Sequence, residues 1–354
     1  MATFAKRSFD AAAYAAARPT YPRALLSHIL AFLDQAPLTS SPTKPQTLLD
    51  LGCGPGLSTF DWLAERRFDR IVGVDPSQGM VAAAREILAQ REDQCKGVDV
   101  RFEVARADHL EGVVQDESVD LAIAGQAAHW FDAPATYAEL ARVLKPGGAF
   151  AFWGYGEFFF PDRPDLSALI PRYSGGTLGP YWEQPGRSIV EALLVPFPLP
   201  SSASPSSSSI PESTAAQFDP SSLTRSFFLR PAPASSDAPL PPLPGLDSLS
   251  PSAQSLPPSS SSSSSHSWTS PPSIPSLAQL HLSRTLLLTK HWTLADLERY
   301  LRTWSAAHAH DERHGEGADV VSGFVRALRD GGMREGERYE VGWEVGIVMG
   351  RRRK

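Results

Sequence analysis

The chain has 354 residues, 42% of them hydrophobic, enough to fill one large core or two modest ones. With 33 Lys+Arg against 39 Asp+Glu and a net charge of −6, it carries no global field that would attract nucleic acid or an anionic membrane, so a small-molecule acceptor is the expected partner. Two cysteines, Cys53 and Cys95, exclude a disulfide framework and a cysteine-rich zinc site. No apolar run reaches the roughly 18 residues of a membrane span, and the N-terminus lacks a signal-peptide core, so the expectation is a cytoplasmic monomer without metal or membrane partner.

In chain order, Pro22 opens a helix whose Leu25, Leu26, Ile29, Leu30 and Leu33 form one apolar stripe. A Pro/Ser/Thr-rich loop from Pro37 to Gln46 follows. Thr47 to Leu51 reads as a short strand that runs into glycines, and Leu57 to Arg66 as a helix. The unit repeats with a strand from Arg70 to Asp75 and a helix capped by Ser77, with Met80, Val81, Ala84, Ile87 and Leu88 on one face. Val100 to Val104 and Val119 to Ala124 are further strands. Pro134 opens a helix that ends at Lys145-Pro146-Gly147-Gly148, before a fifth strand, Ala149 to Trp153. Strands alternating with helices predict an α/β fold, a doubly wound and mostly parallel sheet with right-handed crossovers.

Ser and Pro then dominate, including the run Ser259 to Ser265. Such a stretch offers too little apolar surface to offset its ordering entropy, so residues 197–276 are expected to be a disordered insertion in which only Phe227-Phe228-Leu229 could dock. Residues 1–196 and 277–354 are expected to be the two parts of one domain. The second part carries a strand at Leu286-Leu287-Leu288, a helix from Thr293 through Trp304, and a last strand alternating Val341, Trp343, Val345, Ile347 and Met349.

The turn Gly52-x-Gly54-x-Gly56 lets backbone approach a ligand at the carboxyl end of a strand, but its spacing departs from the Gly-x-Gly-x-x-Gly of dinucleotide sites. Asp75, ending the second strand, is placed to accept hydrogen bonds from ribose hydroxyls, and Asp108 to meet an adenine amino group. Asp50-Leu51-Gly52-Cys53-Gly54-Pro55-Gly56, Asp75, Ala107-Asp108 and Lys145-Pro146-Gly147-Gly148 together resemble, in order, the motifs of class I S-adenosylmethionine-dependent methyltransferases. Phe9, Tyr14-x-x-x-Arg18-Pro19-x-Tyr21-Pro22, Gln126 to Asp132, Tyr181 to Arg187 and Tyr300 to Ser305 resemble the fungal branch of trans-aconitate methyltransferase-like enzymes. The resemblance implies a Rossmann-like methyltransferase fold of seven strands with the last antiparallel beside the fifth. It implies S-adenosyl-L-methionine as cofactor and a small carboxylic acid as acceptor. The Ser/Pro insertion departs from that branch.

The expected cofactor residues are Asp50, Gly52, Gly54, Gly56, Asp75, Asp108, Gln126 and Tyr14. A carboxylate acceptor is already ionised at neutral pH and needs cations rather than a base, which points to Arg18 and Arg187. His129, after the fourth strand, could orient the acceptor, or take the proton of a phenol or quinone-type acceptor. A non-catalytic cofactor-binding scaffold is the third reading. The groups His308-x-His310-x-x-x-His314 and Arg351-Arg352-Arg353-Lys354 are expected to be an exposed helix end and a frayed terminus.

Overall fold

Strand β1 (Thr47–Leu51) lies inside the sheet with all five residues buried, and its alternation divides the protein's two main cores. Leu48 points into one with Ile71, Leu121 and Trp153, and Leu49 into the other with Val72, Ala122 and Phe150. The computed structural model describes residues 10–35, 46–201, 210–231, 279–315 and 317–354. The expected loop at Pro37 and the motif residue Phe9 lie outside them.

Helices α1 (Ala11–Ala17) and α2 (Arg23–Asp34) precede β1, and α2 buries Leu25, Leu26, Ile29, Phe32 and Leu33 as its stripe requires. After β1 come α3 (Leu57–Ala64), β2 (Arg70–Asp75), α4 (Gln78–Ala89), the single turn α5 (Glu92–Cys95) and β3 (Asp99–Val104). Ser77 caps α4 by accepting the Met80 N–H. Next are β4 (Val119–Gly125), α6 (Ala133–Val143), capped by Asp132 with Pro134 in its first turn, and the long β5 (Leu144–Phe159). The second half comprises α7 (Pro164–Ser167), α8 (Gly186–Glu191), α9 (Glu212–Ala215), β6 (Thr224–Phe228), β7 (Gln279–Ser283) and β8 (Leu288–Trp292). It closes with α10 (Leu294–Arg302), α11 (Ser305–His314), α12 (Val320–Asp330) and β9 (Tyr339–Arg351).

The sheet order is β3-β2-β1-β4-β5-β9-β6-β7, with β8 also paired to β9. Strands β1 to β5 pair in parallel, and β9 enters antiparallel between β5 and β6, as the resemblance implied. The expected number of strands is corrected: among the described residues the sheet has nine, because β7 extends the β6 edge and β8 runs beside the first half of β9.

The reading of residues 197–276 as a disordered insertion is corrected for residues 210–231; residues 202–209 and 232–278 lie outside the described part. Phe227-Phe228 belong to β6, fully buried and paired to β9 from Thr224↔Met349 to Phe228↔Val345. Hydropathy hides this strand because three of its five residues are polar, and Arg225 and Ser226 find partners that hydropathy does not register. Arg225 donates to the carbonyls of Leu194 (2.7 Å) and Phe197 (2.6 Å), and Ser226 Oγ lies 3.0 Å from His28 Nε2.

The terminus is also not frayed. The Arg351 guanidinium is buried and donates to the carbonyls of Gly147, Phe32 and Leu33, tying the end of α2 to the start of β5. Arg353 Nε donates to the Phe218 carbonyl at 3.0 Å. Among the described residues no helix is long and apolar enough to cross a membrane.

Candidate active site

Beyond β1 the chain turns through three left-handed glycines, Gly52 (φ +67°), Gly54 (φ +54°) and Gly56 (φ +87°), conformations that cost other residues energy. A Cβ at Gly52 would lie 2.6 Å from that of Ala127, and one at Gly56 2.8 Å from the Phe60 ring. The Gly52 and Cys53 amides donate to the Val74 carbonyl at 2.8 and 3.0 Å, and the Gly54 amide to Asp75 Oδ2 at 3.0 Å. These three N–H groups therefore lock the loop to the end of β2. What the glycines contribute toward a ligand is clearance: nothing lies within 4 Å of where a Gly54 Cβ would be.

Below the loop is a cavity of about 320 Å³ lined by Gly52, Gly54, Asp75, Met80, Asp108 and Phe131 among others. Its size is at the lower end of the roughly 300–1,000 Å³ typical of small-molecule sites. Asp75 Oδ1 accepts the Ser77 N–H at 2.8 Å. Each Asp75 oxygen thus carries one backbone bond and keeps a lone pair for the cavity. Burial raises the Asp75 pKa, and its bonds from Ser77 and Gly54 oppose the rise. Asp108 also lines the cavity, but Arg106 grips it through both oxygens at 2.8 and 2.6 Å, and this pairing lowers its pKa. Two buried hydroxyls that line the cavity, Ser58 Oγ and Thr136 Oγ1, have no partner among the described residues and are open to a polar ligand.

Two expected cofactor residues, Gly56 and Asp50, do not line the cavity: Gly56 packs against Phe60 and Phe102, and the displaced side chain is that of Asp50. It is fully buried beneath the loop, where its Oδ2 accepts the Thr59 hydroxyl at 2.7 Å. Burial raises its pKa to about 7, with Thr59 opposing and the Asp75 and Asp61 charges adding to the rise.

A second cavity of about 80 Å³ adjoins the first and shares Tyr14, Arg18, Gln126, Trp130 and Tyr155 with it. Tyr14 and Arg18 come from α1 and its C-cap. The Arg18 guanidinium donates to the Tyr155 hydroxyl (3.2 Å) and the Thr303 carbonyl (3.1 Å), and lies over the Tyr14 and Tyr300 rings at 4.7 and 5.3 Å. Its Nε is buried without a partner, and no carboxylate of the described residues pairs with it. Arg187 also lines this cavity but is neutralised by Glu157 at 3.0 Å and Glu191 at 2.7 Å while stacking on Trp182 at 4.2 Å. The two expected acceptor cations therefore differ, and Arg18 alone has charge to offer.

His129 reaches the second cavity with Nδ1 buried and unpartnered. Burial lowers its pKa to about 3, and the Arg18 and Arg187 charges act in the same direction. Burial therefore favours the neutral imidazole and makes it a weak base. Gln126 stands between the cavities with φ +56°, a left-handed conformation that costs a non-glycine residue about 1–3 kcal/mol unless its surroundings hold it. Composition gave no signal for Tyr155, Thr303 or the Ser58 and Thr136 hydroxyls, since each acquires its position only through the tertiary fold. The histidines of α11 pack beside this region: His314 Nε2 lies 2.6 Å from the Tyr181 hydroxyl, and the His310 and His314 rings stack at 4.5 Å.

Residues 49–152, from β1 to β5, match the family model described as a methyltransferase domain. Over 190 residues the chain is 30% identical to the "Probable S-adenosylmethionine-dependent methyltransferase CRG1" of Saccharomyces cerevisiae, covering 53% of this chain and 60% of that one. Residues 49–152 thus carry the pattern of a methyltransferase domain. It is also 33% identical over 171 residues to the "Uncharacterized methyltransferase C25B8.09" of Schizosaccharomyces pombe, covering 48% of this chain and 60% of that one. The match thus spans about three fifths of the length of these relatives. Among solved structures, the fold resembles a "Putative Type II Methyltransferase from Anaeromyxobacter dehalogenans", with a TM-score of 0.55, 24% identity, and 94% and 97% of the two chains covered. The methyltransferase domain therefore holds the glycine loop, Asp75, Asp108 and Gln126, while Arg18 and Arg187 reach its site from outside the matched residues.

Proposed function

We propose that this chain methylates a carboxylate oxygen of a small organic acid of the trans-aconitate type, with S-adenosylmethionine in the larger cavity and the acid in the smaller. The observation that carries the reading is Arg18: a guanidinium without a carboxylate partner among the described residues, at the junction of the two cavities, with a buried and unpartnered Nε. A buried cation without a counter-ion is costly, and a carboxylate ligand would supply both the charge and the missing acceptor.

The residues of the larger cavity fit the cofactor. Asp75 keeps lone pairs for ribose hydroxyls, the space at Gly54 admits close approach, and the Ser58 and Thr136 hydroxyls lack partners among the described residues. When bound, S-adenosylmethionine would supply a sulfonium-activated methyl group to an in-line nucleophile, with S-adenosylhomocysteine leaving as the neutral thioether. The chain's own tasks are then to orient the acid and keep water out. Arg18 fixes the carboxylate, Tyr14, Trp130 and Tyr155 wall the junction, and an acid of pKa about 4 arrives already ionised.

Three features weigh against a phenol, quinone or amine acceptor. His129, with a pKa of about 3, is too weak a base to deprotonate a phenol. The Tyr14, Tyr300 and Trp182 rings, which could help to cage an ammonium, already carry the guanidiniums of Arg18 and Arg187. A cavity of about 80 Å³ holds only a handful of waters at the roughly 10–15 Å³ each requires, which suits a short acid and not a lipid tail. We place the enzyme in the cytoplasm as a monomer. The reading is tested by incubating the purified protein with methyl-labelled S-adenosylmethionine and a panel of di- and tricarboxylic acids, phenols and proteins. Label in a base-labile methyl ester of an acid is expected; label confined to phenols or proteins contradicts it.

A further inference from the structure

Strand β4 ends where its neighbour does not. The parallel ladder runs through Ala124↔Phe152 and Gly125↔Trp153, and its last backbone bond is from the Gln126 N–H to the Trp153 carbonyl at 2.8 Å. There the backbone turns away through the left-handed Gln126, while β5 continues. Tyr155 would then have an unpaired N–H and C=O on this side. The Gln126 side chain takes the place of the missing peptide group: its Oε1 accepts the Tyr155 N–H at 2.8 Å and its Nε2 donates to the Tyr155 carbonyl at 3.1 Å. On the other side the β5–β9 register shifts between Tyr155 and Phe158. Tyr155 is thus the last residue of β5 before an irregularity, and its backbone is held from the β4 side by one amide.

The phenol that this amide fixes is the group that holds Arg18. Tyr155 is buried, and its hydroxyl accepts from Arg18 Nη1 at 3.2 Å. The other bond that holds the Arg18 guanidinium is to the Thr303 carbonyl, at the end of α10. Arg18 itself projects from the C-cap of a seven-residue helix that is largely alanine, so its side chain depends on these two bonds for direction.

We infer that Gln126 is a positioning residue for acceptor recognition, acting through Tyr155 on Arg18, and that it is not a cofactor ligand although it borders the larger cavity. The inference rests on the proposed role of Arg18 in holding the acid. Each polar atom of the side-chain amide is already directed at strand backbone, which leaves one N–H and one lone pair, and its loss releases the phenol that sets the guanidinium.

The test uses the full chain and compares wild type with Gln126→Ala, Gln126→Glu, Tyr155→Phe and the double variant Gln126→Ala/Tyr155→Phe. Calorimetry with S-adenosylhomocysteine measures the nucleoside site, steady-state kinetics the acceptor KM, and the guanidinium ¹⁵N resonances of Arg18 its environment. The wild type is assayed first. If it esterifies no acid, the proposed function fails and this inference with it. If it does, Gln126→Ala and Tyr155→Phe should each raise the acceptor KM roughly tenfold, with nucleoside affinity changed less than about twofold. The double variant should be no worse than either single one, because the two residues lie in one path. Gln126→Glu keeps the acceptor for the Tyr155 N–H and should recover part of the loss. Both single variants should shift the Arg18 resonances. Weakened nucleoside binding in Gln126→Ala, an unchanged acceptor KM, unchanged Arg18 resonances or additive losses in the double variant would each overturn the inference. Should Gln126→Ala fail to fold, Gln126→Glu and Tyr155→Phe carry the same comparison.

Discussion

Asp75 Oδ2 accepts the Gly54 N–H at 3.0 Å, so the acid at the end of β2 and the glycine loop after β1 form one unit before any ligand arrives. With its other oxygen bonded to the Ser77 N–H, the carboxylate has a fixed direction and faces the cavity. Asp75→Ala removes both the proposed ribose acceptor and the tether of the loop. It should weaken S-adenosylmethionine binding by about 1–3 kcal/mol in calorimetry. Affinity equal to wild type would mean that the nucleoside does not meet this residue.

Replacing Arg18 separates the two cavities functionally. Arg18→Gln should lower kcat/KM for an acid acceptor by about 3 kcal/mol, roughly a hundredfold, and affect nucleoside affinity much less. Arg18→Lys should not restore it, because an ammonium cannot reproduce the forked bonds to Tyr155 and Thr303 while also meeting a carboxylate. A variant with undiminished turnover of the acid would remove Arg18 from acceptor binding.

Asp50 gives a prediction about pH. Burial raises its pKa in the folded chain to about 7, above the roughly 4 of an unfolded aspartate. A carboxyl shifted upward contributes stability below the unfolded pKa and loses it as pH climbs through the folded one. Asp50→Asn, neutral throughout, should melt like wild type near pH 3.5, below the unfolded pKa, and higher than wild type near pH 8.5. A gain on the order of 1 kcal/mol would appear as about 2–4 °C. The same difference in melting temperature at both pH values would contradict the shift.

Strand β6 should matter to the whole sheet. Phe227 is fully buried and pairs with Gly346 of β9. Phe227→Ala should cost about 3–5 kcal/mol in denaturant unfolding. A loss below about 1 kcal/mol would return this segment to the status of a passive insertion.

The first half of the fold was legible because its strands are apolar and its helices carry regular stripes and side-chain caps. Leu48 and Leu49 announce two cores by simple alternation, and Ser77 marks the start of α4. Strand β6 was not legible because Thr224, Arg225 and Ser226 are buried by partners distant in sequence, such as Leu194 and His28. The same limit applies to the site. Asp75 and the glycines follow from position after a strand, and Arg18 from its type. That Asp50 turns inward to Thr59, that Arg187 is neutralised by Glu157 and Glu191, and that Gln126 serves Tyr155 depend on contacts that no local pattern encodes.

The most direct measurement is equilibrium dialysis of the purified chain against labelled S-adenosylmethionine. Near-stoichiometric retention, displaced by S-adenosylhomocysteine and diminished by Asp75→Ala, is the expected result. No label held by a folded wild-type chain at saturating nucleoside would contradict the account at its root.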